Sequence, residues 1–148
     1  MNFTEELRRQ WTESGKSLNP EDIRPLALAY LGDTIFDLYI RSRLVMTTHL
    51  HPKEMHVSAS GHVNAQSQAR MVKLILPLLT EKETQVFKHA RNQRPQTLPK
   101  NMSPVDYKLA TGLEALLGYL FVTGQDDRLM ELLNQAYSRF HGKEISNE

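Results

Sequence analysis

The sequence predicts an all-α protein. Apolar residues recur at steps of three and four through every long segment, and no segment keeps the apolar and polar alternation of a β-strand. Helix start signals, in which a capping residue precedes a proline or acidic residues, recur along the chain. The length of 148 residues suits one domain. We expect a mobile N-terminal extension at 1–18, a helical domain at 19–141 and a C-terminal tail at 142–148.

The first two helices are predicted from start signals that contain proline. Residues 19–22 (NPED) supply an N-cap, a proline at the first helical position and acids in the first turn, so a short helix begins there. Pro25 opens a second, longer helix that runs to about Thr47. Its predicted buried stripe consists of Leu28, Leu31, Ile35 and Leu38.

Four more helices are predicted in the rest of the chain. Residues 51–60 form a loop or a short helix, and Gly61 marks a bend. A capping box begins at Thr80, and Ser103 with Pro104 repeats the earlier start signal. The four helices are expected over about 62–79, 81–92, 104–124 and 127–140.

Positive charge is concentrated in the middle of the chain. Residues 38–105 hold ten basic and three acidic side chains, a net charge of +7, whereas the remainder holds eight basic and fourteen acidic ones, a net charge of −6. This asymmetry indicates a surface for a polyanion, although helix surfaces also differ in charge by chance. The exposed loop at 91–103 is the strongest nucleic-acid candidate, through cations for phosphates and amides for 2′-hydroxyls. Its candidate residues are Arg91, Asn92, Arg94, Lys100 and Asn101.

Several protein classes are disfavoured by composition. The chain has no cysteine, and none of its six histidines has the His-x-x-x-His spacing of a zinc helix. It shows no secretory signal and no apolar run long enough to cross a membrane. We therefore expect a cytoplasmic protein with no membrane contact.

Two acids lie in the two most apolar predicted helices. Asp33 lies within residues 26–36 and Glu114 within residues 111–121, both far from a helix end. Each has a glycine nearby, and a mid-helix glycine costs about 1 kcal/mol relative to alanine, which indicates close approach of another group. A carboxylate in an apolar interior needs a cation, a hydrogen-bond partner or water.

Magnesium would meet this need, because Mg²⁺ binds oxygen ligands and typically uses one or two carboxylates together with a substrate phosphate. If the two helices cross, Asp33 and Glu114 are the candidate catalytic and metal-binding residues, and the cation polarises a scissile phosphate. The alternative is structural: either acid pairs with a cation such as Arg41 or Lys108 and fixes helix packing. Asp37, one turn beyond Asp33, either supports the site or pairs with Arg41 in solvent.

Several motifs resemble one nuclease family. Residues 28–33 (LAYLGD) with 36–41 (FDLYIR) resemble the first signature of ribonuclease III nuclease domains, and residues 114–118 (EALLG) resemble the second. Residues 63–69 (VNAQSQA), the loop from Arg91 to Asn101, and residues 107–121 resemble the Mini-ribonuclease III branch, the short form without a double-stranded-RNA-binding domain. The resemblance covers about residues 19–137 and keeps the order of the motifs.

The resemblance implies a homodimer whose ribonuclease III-like catalytic domain, residues 19–141, cleaves both strands of double-stranded RNA. The usual role would be maturation of large-subunit (23S) ribosomal RNA precursors. Asp33 matches the first-signature aspartate and Glu114 the second-signature glutamate, so both would bind Mg²⁺, with Mn²⁺ as a substitute. The implied partners are precursor ribosomal RNA, held on the dimer surface, a second copy of the chain and, as a further candidate, a ribosomal large-subunit protein.

Two acids of the larger family members are missing from this chain. Ala29 stands where those enzymes carry a glutamate, one turn before the signature aspartate, and Thr111 stands where they carry an aspartate. This reduction weakens a two-metal account. Two other functions stay open: a catalytically silent duplex-RNA-binding or ribosome-assembly protein with the same fold, and a helical module that binds an acidic protein.

Overall fold

The computed structural model describes residues 1–95 and 97–142. In these residues it contains α-helices, two short 3₁₀ helices and no strand, which confirms the all-α prediction. Gly142 is described, and the rest of the predicted C-terminal tail, 143–148, lies outside the described residues. The α-helices are α1 (Phe3–Glu13), α2 (Pro25–Thr47), α3 (Pro52–Ser60), α4 (Ala65–Ile75), α5 (Glu81–Arg91), α6 (Pro104–Val122) and α7 (Asp126–Phe140). The 3₁₀ helices are Pro20–Asp22 and Leu76–Leu78.

Helix α6 is the central helix of the core. Eleven of its nineteen residues are buried, and α2, α4 and α5 pack around it. Helix α7 packs mainly on α4. A helix that is apolar on almost every side belongs in a protein interior, as the composition of α6 requires. Across the described residues, no helix is long and apolar enough to cross a bilayer.

The predicted helix starts at Asn19, Thr80 and Ser103 are confirmed. The Asn19 side chain accepts a hydrogen bond from the backbone N–H of Glu21, and Ser103 caps α6 by accepting from the N–H of Asp106. Thr80 and Glu83 form the predicted capping box: the Thr80 hydroxyl accepts from the Glu83 N–H, and the Glu83 carboxylate accepts from the Thr80 N–H. These helix starts depend only on residues within one turn, so they can be predicted from the sequence.

The predicted buried stripe of α2 is wrong in part. Leu28 is buried, whereas Leu31 and Ile35 are only partly buried and Leu38 is 64% exposed. The buried face instead consists of Leu28, Ala29, Gly32, Phe36 and Ile40. Ala29 and Gly32 are the smallest residues of this face, and they let α2 approach α6 closely. The face toward α6 is therefore the one that contains them, and Leu38 is left in solvent.

The structure also differs from the sequence prediction in the N-terminal extension and at the start of α4. The N-terminal extension, expected to be mobile, forms helix α1, and Arg8 holds it to Asp126 of α7 through two hydrogen bonds of 2.8 and 2.9 Å. Of the two alternatives predicted for residues 51–60, the short helix is observed, as α3. Helix α4 begins at Ala65 rather than at 62, because the Asn64 side chain caps it by accepting from the N–H of Ser67.

Candidate active site

Helices α2 and α6 cross where each presents a glycine to the other's backbone. A Cβ atom on Gly32 would lie 1.7 Å from the main-chain oxygen of Glu114, and one on Gly118 would lie 2.1 Å from the main-chain oxygen of Leu28. Only glycine permits so close an approach. The close approach that the mid-helix glycines predicted is therefore the contact between α2 and α6. Because Asp33 follows Gly32, the crossing brings the two acids together.

Asp33 and Glu114 line one open pocket of about 350 Å³. Its walls come from α2, α4 and α6 and include Ala29, Gln68 and Thr111. Asp33 is exposed at the pocket, so the expectation that both acids are buried is wrong for this residue. Glu114 is half-buried: part of its side chain reaches the pocket, while its carboxyl group is largely enclosed by protein atoms.

The carboxyl group of Glu114 is a weak acid in this pocket. Its pKa is raised to about 9, chiefly by burial and then by the hydrogen bond and negative charge of Asp33, whereas the nearby amide of Gln68 acts to lower it. Two adjacent carboxylates repel each other, which favours the protonated form of the more buried one. At neutral pH Glu114 therefore keeps its proton and donates it to Asp33 in a hydrogen bond.

The structural alternative for these acids is not observed. Arg41 donates from Nε to the Asp37 carboxylate at 2.7 Å, so Asp37 is the solvated partner of Arg41 rather than part of the pocket. Neither Arg41 nor Lys108 pairs with Asp33 or Glu114, and in residues 1–95 and 97–142 neither acid forms an ion pair. The two carboxylates are therefore available to a cation.

The donor set suits one hard divalent cation. Two carboxylates meet at an open pocket, and Mg²⁺ or Mn²⁺ takes oxygen ligands while keeping several waters. The described part of the chain brings no third acid or histidine to this pair. Asp33 and Glu114 would hold the cation, and the remaining positions would be left to water or substrate oxygens.

The positions of the two missing family acids face the same pocket. Ala29 and Thr111 both line it, on α2 and α6 respectively. Ala29 supplies no polar atom, and the Thr111 hydroxyl donates to the main-chain oxygen of Tyr107 at 2.9 Å within its own helix. The pocket therefore has two carboxyl groups, Asp33 and Glu114, where the family pattern has four.

The predicted RNA-binding residues fall into two groups. Lys100 and Asn101 line a groove of about 400 Å³ that adjoins the acid pocket, because the two share Ala65 and Met102. Asn101 has a positive φ of 68°, a backbone conformation that asparagine tolerates better than most residues.

The second group lies at the end of α5. Arg91 stands over the ring of Phe87, with 5.6 Å from its guanidinium carbon to the ring centroid, and donates to the Asn92 side chain at 3.2 Å. Arg94 is exposed. None of these three residues lines the acid pocket or the groove beside it, so the structure does not join the two groups into one surface.

Gln68 is a pocket residue that the sequence did not single out. It lies on α4 and is 3% exposed, on the same face as the buried Val72 and Ile75. The sequence did contain a signal for it. Gln68 lies at helical spacing from the apolar residues Val72 and Ile75, which places its amide on a buried face, where a polar group requires a hydrogen-bond partner.

Comparison with known proteins agrees with this geometry. Residues 26–125 match the Ribonuclease III domain family. A Mini-ribonuclease 3 of Symbiobacterium thermophilum is 39% identical to this chain over 118 residues, which cover 80% of this chain and 91% of that protein. A Mini-ribonuclease 3 of Streptococcus pneumoniae is 37% identical, covering 81% of this chain and 95% of that protein.

A solved structure shows the same fold. The crystal structure of a protein from Fusobacterium nucleatum superposes on this chain with a TM-score of 0.72 at 29% sequence identity, covering 80% of this chain and 94% of that one. The match to the domain family includes both acids and the crossing of α2 and α6 that joins them. The chain therefore belongs to the ribonuclease III family of double-strand-specific endoribonucleases, in its Mini-ribonuclease 3 branch.

Proposed function

We propose that this endoribonuclease depends on Mg²⁺ and that Asp33 and Glu114 are its metal-binding and catalytic residues. One observation carries the assignment: the crossing of α2 and α6 places these two carboxylates in one open pocket, with no basic side chain paired to either among the described residues. Mn²⁺ offers the same oxygen preference and is expected to substitute.

The proposed reaction depends on the protonation state of Glu114 and on the cation that Asp33 and Glu114 would share. Glu114 gives up the proton it holds beside Asp33, since a divalent cation favours the charged form of both carboxylates. The two carboxylates would hold the cation in their pocket, which adjoins the groove of Lys100 and Asn101. When bound, the cation supplies Lewis-acid polarisation of the scissile phosphate and of a water molecule.

The substrate is proposed to be double-stranded precursor RNA of the large ribosomal subunit (23S), cut in the cytoplasm by a homodimer. The relatives named above are ribonucleases of the same branch, which supports the substrate class. Lys100 and Asn101 are proposed to contact the RNA backbone beside the acids, and Arg91, Asn92 and Arg94 to contact it further along the duplex. A ribosomal large-subunit protein is a further candidate partner.

A cleavage assay tests this function. Purified protein is incubated with duplex RNA, and with single-stranded RNA of the same sequence, in Mg²⁺ or in EDTA. We expect the wild type to cut only the duplex and only with metal, and Asp33→Asn and Glu114→Gln to lose at least about a hundredfold in rate, since cation-mediated charge stabilisation is worth several kcal/mol. Asp37→Asn, which removes a half-exposed acid one turn away that lies outside the pocket, is the matched control and should cut normally.

Two results would contradict the proposal. Normal cleavage by either acid variant would remove that acid from the site. Binding of the duplex without cleavage by the wild type in Mg²⁺ would favour the alternative of a silent duplex-RNA-binding or ribosome-assembly protein.

A further inference from the structure

Gln68 carries a buried polar atom without a partner. Its side chain is 3% exposed, and its Nε2 atom has no hydrogen-bond partner in residues 1–95 and 97–142. Buried amide groups in proteins are almost always hydrogen-bonded. The neighbouring buried Ser67 follows this rule, since its hydroxyl donates to the main-chain oxygen of Gly61 at 2.7 Å. The unpaired atom of Gln68 therefore requires an explanation.

A charged group in the same pocket explains it. Gln68 lines the pocket with Asp33 and Glu114, and its side chain is close enough to Glu114 to lower the pKa of that carboxyl group, against the effects of burial and of Asp33. The Nε2 atom carries the only donors of the Gln68 side chain, so it is the atom that can stabilise the charged form of Glu114. A small movement of either side chain would bring Nε2 within hydrogen-bond distance of the carboxylate.

We propose that Gln68 is a positioning residue for the cation site: its Nε2–H₂ donates to the Glu114 carboxylate and turns that carboxylate toward the cation it shares with Asp33. This inference rests on the proposed assignment of Asp33 and Glu114 as cation ligands. Partners of this kind, which hold a ligand in place without binding the metal, commonly decide how well a metal site binds.

A neutral donor suits a pocket with two acids. Ala29 and Thr111 bring no charge to it, so only Asp33 and Glu114 attract the cation. A lysine or arginine at the Gln68 position would stabilise the same carboxylate but would repel the cation. An amide stabilises the charged form of Glu114 and adds no positive charge.

The test measures cation binding without RNA. Mn²⁺ affinity of the full chain is measured by electron paramagnetic resonance for the wild type, Gln68→Leu, Gln68→Met, Asp33→Asn and the exposed control Gln85→Leu. We expect both Gln68 variants to bind Mn²⁺ about 10- to 100-fold more weakly than the wild type, and Gln85→Leu to bind it normally.

The outcomes separate this inference from the assignment on which it rests. Melting temperatures in EDTA show whether each variant folds, and the second variant at position 68 guards against a packing defect in the first. Wild-type affinity in the folded Gln68 variants overturns the positioning role. If Asp33→Asn alone weakens binding, the cation site stands without Gln68. If Asp33→Asn also binds normally, both proposals are wrong.

Discussion

The carboxyl group of Glu114 makes the stability of the metal-free protein depend on pH. Its pKa is about 9 in the folded protein, against an ordinary value of 4.5, so between these values the folded state holds a proton that the unfolded state has lost. Stability falls with pH wherever the folded state binds more protons. In EDTA, the contribution of Glu114 to the free energy of unfolding is therefore complete below about pH 4.5 and is lost as the pH rises to 9.

Urea denaturation in EDTA at pH 5, 7 and 9 measures this effect. We expect the wild type to lose stability relative to Glu114→Gln by about 1 kcal/mol or more per pH unit over this window, since one pKa unit corresponds to about 1.4 kcal/mol. Comparison with the variant cancels the titration of the histidines. Saturating Mg²⁺ should reverse the loss at high pH, because the cation binds the deprotonated acid. Parallel pH curves for the two proteins would contradict the assignment of the raised pKa.

The site residues differ in how visible they are in the sequence. Asp33 and Glu114 stand out because each interrupts an apolar helix, and the structure brings them together. How deeply each acid is buried could not be predicted from the sequence, because it depends on which face of α2 turns toward α6. Asp33 is in fact exposed. Gln68 was missed because amides are common on helix surfaces; its helical spacing to Val72 and Ile75 was the available signal, and the packing of α4 on α6 shows that it is interior.

Helices were predictable where local chemistry decides them. The starts at Asn19, Thr80 and Ser103 agree with the sequence because capping involves residues within one turn. The buried stripe of α2 was not predictable from the same rules. The periodicity favoured its large apolar residues, whereas the close contact through Gly32 and Gly118 selects a face of smaller ones.

The helix crossing is a fixed contact that Gly32→Ala should disrupt. The added Cβ would lie 1.7 Å from the main-chain oxygen of Glu114, and a backbone cannot yield as a flexible side chain can. Because the clash is with a backbone atom, the cost of overpacking lies at the upper end of its usual range, about 3 kcal/mol or more, against a gain of about 1 kcal/mol in helix propensity. We expect a net loss of about 2 kcal/mol or more in urea denaturation, together with weaker Mn²⁺ binding as the two acids separate.

Gly61→Ala is the matched control for this change. Gly61 has an ordinary φ of −71°, and the nearest atom to an added Cβ would be the main-chain oxygen of Ser58 at 3.3 Å. Its substitution should change stability by less than about 1 kcal/mol. If both alanine variants lose the same stability, the close contact of α2 with α6 does not explain the cost at Gly32.

At the scale of the whole molecule, charge is distributed unevenly over a protein with a net charge of only +1. The basic middle segment at 38–105 contains both α4, which borders the acid pocket, and the loop that holds Lys100. A negatively charged duplex would be drawn to this segment, while the two acids need a cation to accept the phosphate. The fold therefore places the positively charged Lys100, which attracts RNA, next to the small acidic pocket.

Salt dependence of duplex binding separates the two groups of loop residues. Each lost phosphate contact should lower the slope of log affinity against log salt by roughly one unit. We expect Lys100→Ala to lose about one unit, and Arg91→Ala with Arg94→Ala to lose about two if both arginines contact phosphate. These measurements need Ca²⁺ in place of Mg²⁺, so that the duplex is held uncut.

The control for the salt series is a pair of cations outside the basic segment. Lys16→Ala with Arg24→Ala removes two positive charges from exposed residues, the same number of charges as the arginine pair, and should leave the slope unchanged. If the control pair flattens the slope as much as Arg91 and Arg94 do, the effect is one of net charge and not of contact. If Lys100→Ala alone flattens it, the duplex lies along the groove beside the acids, and the arginines at the end of α5 lie outside the interface.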